Sequence, residues 1–201
     1  MGACVCTEVS AHNRLTTMQS AAQVKDGIAF PGHSLKNLNQ VYDLNEEKSE
    51  LISSENSKKV YKVHCLQTKI PYVIKVINKS DFEPSALPLI WNQCQLFKLI
   101  DHPSIVKFIE AYNAEHKIYI VMEFVDGKTL DEVKNLPEDE LCRIFYDIGS
   151  AVKHCHSLGL IHRGIQFNAF RLRAKNDVKL LSFGLCVRSN NEKSVRKIQL
   201  N

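Results

Sequence analysis

Side chains able to do chemistry fall in three places along this chain. Gly2 follows Met1, and Cys4 and Cys6 stand close behind it. Removal of Met1 opens the Gly2 amine to myristoylation and leaves two thiols for palmitate. One acyl chain attaches a protein to a bilayer only marginally and a second makes attachment stable, so this spacing suits a membrane anchor. The second place is His154-Cys155-His156, three metal-ligand types in a row. Adjacent side chains diverge around a helix, so the stretch reads as a helix end rather than a metal site. The third is the basic end, where nine Lys or Arg between His162 and Asn201 face only Asp177 and Glu192. Such a surface suits an acidic partner or a solvated tail.

The remaining composition narrows the class. Of 201 residues 44% are hydrophobic and 24% charged, with a net charge of +4, which describes a globular domain with one core. No apolar run approaches the ~20 residues of a membrane span. Seven cysteines form no CxxC pair and follow no signal peptide, which points to reduced thiols in the cytoplasm. No nucleic-acid partner is expected.

The elements that must position these residues begin in earnest at Val60. Short runs rich in Val, Ile and Tyr predict strands over 60–65, 71–77, 105–112 and 117–124. Between the second and third, Pro88 opens a helical stretch with Leu89, Gln93, Leu96, Phe97 and Ile100 at helical spacing. Leu136-Pro137-Glu138 starts a second helix whose Leu141, Ile144, Phe145, Ile148 and Val152 form an apolar stripe. Two short strands over 169–173 and 178–181 close the series as a hairpin. The first 45 residues lack sustained periodicity and read as an extended arm with one short helix.

This order resembles the protein kinase domain. Tyr72-Val73-Ile74-Lys75 resembles its VAIK strand, His102-Pro103-Ser104-Ile105-Val106 its HPNIV turn, and Ile120-Val121-Met122-Glu123-Phe124 its gatekeeper and hinge. His154 to Arg163 is similar to the end of helix E running into the catalytic loop, and Lys179 to Leu185 to the DFG region. The start of the chain and Val41-Tyr42-Asp43-Leu44 look most like the calcium-dependent protein kinases of plants and protists, without their EF-hands. The resemblance implies an α+β fold, a kinase-like small lobe with an incomplete large lobe. The organisation it implies is an arm over 1–45, a small lobe and hinge over 46–125, a partial large lobe over 126–187 and a basic tail over 188–201.

Carried over residue by residue, the resemblance implies a chain without the usual chemistry. Phosphoryl transfer needs a glycine cradle for phosphate, a lysine, magnesium ligands and an aspartate at the nucleophile. The cradle glycines fall on Ser53, Glu55 and Lys58, so side chains stand where backbone approaches phosphate. Lys75, His162 and Arg163 are retained. The glutamate that pairs with the lysine is Gln93, the catalytic aspartate is Gly164, the magnesium-binding asparagine is Ala169 and the DFG aspartate is Ser182. Val73 replaces the small roof of the purine pocket and Arg171 its apolar floor, which predicts an obstructed site, no ATP and no cofactor.

The chain ends 17 residues after Gly184, ahead of the helices that in a full kinase cover helix E. The stripe Leu141, Ile144, Phe145, Ile148 and Val152 is therefore expected to stay open and to mark contact with other protein subunits. Together these features predict a non-enzymatic pseudokinase serving as a structural subunit, or as a membrane-tethered regulator of an intact kinase.

Overall fold

The computed structural model describes residues 35–55, 58–173, 177–181 and 186–188. Gly2, Cys4, Cys6, Ser182 and Phe183 lie outside them. Helix α1 (Leu35–Val41) leads into strands β1 (Glu50–Glu55), β2 (Lys58–His64) and β3 (Pro71–Asn78), followed by helix α2 (Leu87–Lys98) and strands β4 (Phe108–Asn113) and β5 (Lys117–Glu123). These strands form one antiparallel sheet in the order β1-β2-β3-β5-β4.

Alternation along β3 gives this sheet two working faces. Ile74 and Val76 pack with Tyr61, Val63, Tyr119 and Val121 on the outer face, closed by Leu38 of α1 and by Tyr42. The end of the expected arm is thus part of the fold: Tyr42 bridges to Cys65, and its hydroxyl donates to Glu110 Oε1 at 2.6 Å. On the inner face Ile77, Ile118, Ile120 and Met122 join Cys94 and Phe97 of α2. Each such buried side chain contributes roughly 1.5–3 kcal/mol.

Beyond the sheet come β6 (Lys128–Thr129), α3 (Glu138–Ser157), β7 (Leu160–Ile161), β8 (Phe170–Leu172), β9 (Val178–Leu180) and β10 (Val187–Arg188). Pro137 stands at the N-cap of α3, three acidic residues fill its first turn, and His154 and His156 lie in its last, all favourable to the helix dipole. His154-Cys155-His156 is the helix end expected of it, with Cys155 buried and His156 exposed. β8 and β9 form the expected hairpin, joined on its other edge by β6, while β7 pairs with β10. Among the described residues, no helix is long and apolar enough to cross a membrane.

Three expectations need correction. The run 105–112 becomes strand only from Phe108, because Ile105 forms a parallel bridge to Leu180 and Val106 N–H donates to Leu180 O at 2.9 Å. In α2 the buried face is Trp91, Cys94 and Phe97, while Leu89 is 63% exposed. The α3 stripe also divides. Ile144 is 2% exposed and sits with Ala151 and Cys155 against the hairpin, so it is inside and offers nothing to a partner. Ile148 packs partly against that core, whereas Leu141 and Phe145 point outward at 38% and 57% exposure. The i, i+7, i+11 row faces the hairpin, and the rotation of about 100° per residue carries Phe145 away from it.

Candidate functional site

A cleft of about 620 Å³ lies between the inner face of the five-stranded sheet and the β6–β8–β9 sheet. Its size falls in the range of small-molecule sites. β-pairing explains which side chains reach it. Val73, Lys75 and Ile77 alternate on β3, opposite Met122, Ile120 and Ile118 on β5 and opposite Lys62, Val60 and Lys58 on β2. Of these, Lys58, Val60, Val73, Lys75, Ile120 and Met122 line the cleft. Val73 therefore sits where expected, yet the cleft remains open, and the expected obstruction is corrected: the roof is one side chain of a much longer apolar wall.

The positions expected to have lost their glycines form a hairpin. Ser53 pairs with Val60 and Glu55 with Lys58, and an irregularity between Leu51 and Ser53 bends β1. Ser53 and Lys58 both border the cleft, on the same sheet face as Lys75. Lys58, counted as a lost glycine, thus brings a second cation to a site that already holds Lys75. Gln93 lies in α2 beside Cys94. Burial pushes the Cys94 thiol up to about 11 against the opposing pull of Lys75, so it stays protonated near neutral pH.

Phe97 and the half-buried Phe108 meet edge to face with centroids 5.7 Å apart, and His162 is buried at 4% exposure. In the loop that follows, Gly164 N–H donates to His162 Nδ1 at 3.2 Å. Arg163 adopts a φ of 62°, a left-handed conformation that a non-glycine residue holds only under constraint from its surroundings. Ala169 is buried and its carbonyl accepts from Leu181 N–H at 2.8 Å.

The hinge is held by charge. Glu123 Oε1 accepts from Lys107 N–H at 2.9 Å and forms an ion pair with Lys179 Nζ. Lys179 comes from β9, so this pair ties the hinge to the second sheet. On the floor, Arg171 Nη1 donates to Val125 O at 3.2 Å, while its buried Nε has no partner among the described residues. Glu132 lies nearby and accepts from Thr129 N–H at 2.9 Å. That bond and one from the Thr129 side chain hold its carboxyl below the ordinary value, helped by the Arg171 charge.

Kinase chemistry implies a magnesium ion, and the donors among the described residues do not fit one held by the protein. Ala169 offers a methyl group, Ser182 lies outside the described residues, and Asp177 is paired with Arg173 at 3.1 Å. No group of three His, Cys, Asp or Glu able to hold a metal occurs among the described residues. Thr129 and Glu132 escaped the sequence reading, and Lys58, Glu123 and Lys179 stood in its motifs without the contacts that the structure gives them. The two-residue spacing of Lys58 and Val60 on β2, which sets both on one face, is the signal that could have found Lys58.

Comparison with known proteins places this geometry. The protein kinase domain family profile matches residues 47–200. Over 121 residues the chain is 36% identical to serine/threonine-protein kinase SIK2 of Gallus gallus, a match covering 58% of this chain and 15% of that one. It is 35% identical over 121 residues to serine/threonine-protein kinase SIK1 of Rattus norvegicus, covering 58% and 16%. It is 30% identical over 124 residues to probable serine/threonine-protein kinase MARK-A of Dictyostelium discoideum, covering 58% and 12%. The match spans roughly a seventh of these relatives' length. These findings overturn the expectation of a non-enzymatic structural or regulatory pseudokinase. That expectation rested on single positions, whereas the matched span is a protein kinase domain and the relatives are named as serine/threonine-protein kinases. By the extent of the match and by its sheet, hinge and cleft, this chain belongs to the protein kinase domain family.

Proposed function

We propose that the chain binds a nucleoside triphosphate in the interlobe cleft and transfers its terminal phosphoryl group to a serine or threonine hydroxyl. The observation that carries this reading is the pairing of Lys58 and Lys75 on one face of a cleft walled by Val60, Val73, Ile120 and Met122. Apolar walls take a planar base, and two lysines answer the phosphate charge that three glycines otherwise cradle with backbone amides. The relatives named as serine/threonine kinases support the acceptor class.

The loop sets the expected speed. Gly164 supplies no carboxylate to orient the hydroxyl, and general-base assistance is worth about 10²–10⁴-fold, so transfer is slow by that factor. The proton leaves to solvent or to the phosphate itself. Transfer from γ-labelled nucleotide to a serine/threonine peptide library tests this, with Gly164→Asp expected to raise the rate and Lys75→Met to lower it. No label above a heat-inactivated control in any of the three proteins would sink the catalytic proposal.

Narrower readings rest on single features. Kinship with calcium-dependent kinases is carried by Val41 to Leu44 and by the start of the chain, and acylation by Gly2, Cys4 and Cys6. Contact with other protein subunits is carried by Leu141 and Phe145, the outward members of the α3 stripe.

A further inference from the structure

The charged groups that line the cleft are sorted along its length. β3 pairs with the hinge strand at Tyr72 and Glu123, then at Lys75 and Ile120 and at Ile77 and Ile118, and Ile77 in turn pairs with Lys58. At about 3.3 Å of rise per residue, Lys75 and Lys58 stand roughly 10 and 17 Å from the Glu123 row. They are diagonal neighbours on one sheet face, about 7–8 Å apart and within reach of one polyphosphate. Among the described residues, the carboxylates that line the cleft are Glu123 and Glu132, both at its hinge end. Both are engaged, Glu123 by Lys179 and by Lys107 N–H, and Glu132 by Thr129 N–H. The other side-chain oxygens there, from Ser53, Thr129 and Asn168, are neutral.

A magnesium ion that arrives on a nucleotide keeps several waters and is held to the protein by one or two carboxylates. The far end of this cleft offers two ammonium groups instead. Taking the cleft as the nucleotide site, we propose that it takes the uncomplexed nucleoside triphosphate in preference to the magnesium complex, with Lys58 and Lys75 supplying the positive charge at the phosphates. A lysine is a compact point charge on a flexible stem, suited to phosphate oxygens without a fixed geometry. Magnesium on the same oxygens lowers the charge of the anion and stands beside two like charges, so the complex gains less from both lysines. Lys58 is thus the residue that sets which form of the nucleotide is bound.

Calorimetric titration of the full chain with ATP and with GTP, in EDTA and again at saturating Mg²⁺, tests this without a variant. Affinity is expected to be about tenfold higher in EDTA, the scale set by like charges about 10 Å apart at an effective dielectric constant of about 20. Lys58→Met should erase most of that difference. Lys59→Met removes the same charge from the exposed, opposite face of β2 and should leave the difference unchanged. Melting profiles report that both variants keep the fold. Equal or tighter binding at saturating Mg²⁺ by the unaltered chain, or a difference that survives in Lys58→Met, overturns the preference and leaves the nucleotide reading standing. Absence of binding in both conditions overturns the preference and the nucleotide reading together.

Discussion

Gly127 follows the hinge at a φ of 113°, where β6 turns in beneath the cleft. A Cβ added there would stand 2.0 Å from Leu172 O and 2.9 Å from Leu172 C, both backbone atoms of β8. No side-chain rotation relieves such a contact, so Gly127→Ala must push β6 and β8 apart by about 1 Å. The backbone conformation adds roughly 1–3 kcal/mol of strain and the overpacking a further ~1–3 kcal/mol. A total of about 2–6 kcal/mol is a large part of a typical ~5–15 kcal/mol stability. At ~2–4 °C per kcal/mol for a chain of this size, the melting temperature should fall by roughly 5–20 °C. Gly149 is the matched control: it lies within α3 with nothing within 4 Å of an added Cβ, so Gly149→Ala should stabilise by about 0.5–1 kcal/mol. Urea and thermal unfolding of both variants measure this. A Gly127→Ala protein melting within a degree of the unaltered chain would refute the close approach of Gly127 to β8.

Lys179→Met should destabilise by about 1–3 kcal/mol, because it leaves the partly buried Glu123 carboxylate with only the Lys107 N–H, and combining it with Glu123→Gln should recover much of that loss. Strict additivity in the double-mutant cycle would rule out a latch between hinge and β9. Ile144→Ala should lose about 2–5 kcal/mol on urea unfolding, whereas Phe145→Ala one residue on should change stability by less than ~0.5 kcal/mol. Burial, aided by the His154 charge and opposed by Asp147, holds the His102 ring below its ordinary value. The unfolded ring therefore takes up a proton first, and stability declines as pH falls below about 6.5, levelling once the folded ring also protonates. His102→Gln should flatten that decline in denaturant midpoints measured across the range.

The strands of the main sheet were legible where local composition and long-range pairing agreed. Val73 to Ile77 and Ile118 to Val121 are β-branched and central, so propensity and burial point the same way. β1 was not, because Glu50 to Glu55 is polar and becomes strand only by pairing with β2. Ile105 looks like strand, but its partner Leu180 lies far along the chain, and no local pattern announces such a bridge. The two-residue strands β6, β7 and β10 are likewise products of tertiary pairing. In the site, the resemblance located Lys75, His162 and Arg171 from single motifs. It misjudged what surrounds them, since a position counted as a lost glycine delivers Lys58 to the cleft. The bond from Arg171 to Val125 O joins residues 46 apart and is visible only in three dimensions. The expectation of an inactive protein rested in part on Gly164 and Ala169, and neither of these lines the cleft.

The most direct test of a nucleotide-binding cleft is to fill it. Val73 is half-buried and lines the cleft, so Val73→Trp places an indole where the base would lie. Calorimetric titration of the full chain with GTP and ATP should give a saturable one-to-one isotherm for at least one of them, lost in Val73→Trp and weakened in Lys75→Met while both variants still melt cooperatively. No binding heat from either nucleotide, or an affinity unchanged in both variants, would contradict a nucleotide site between the two sheets.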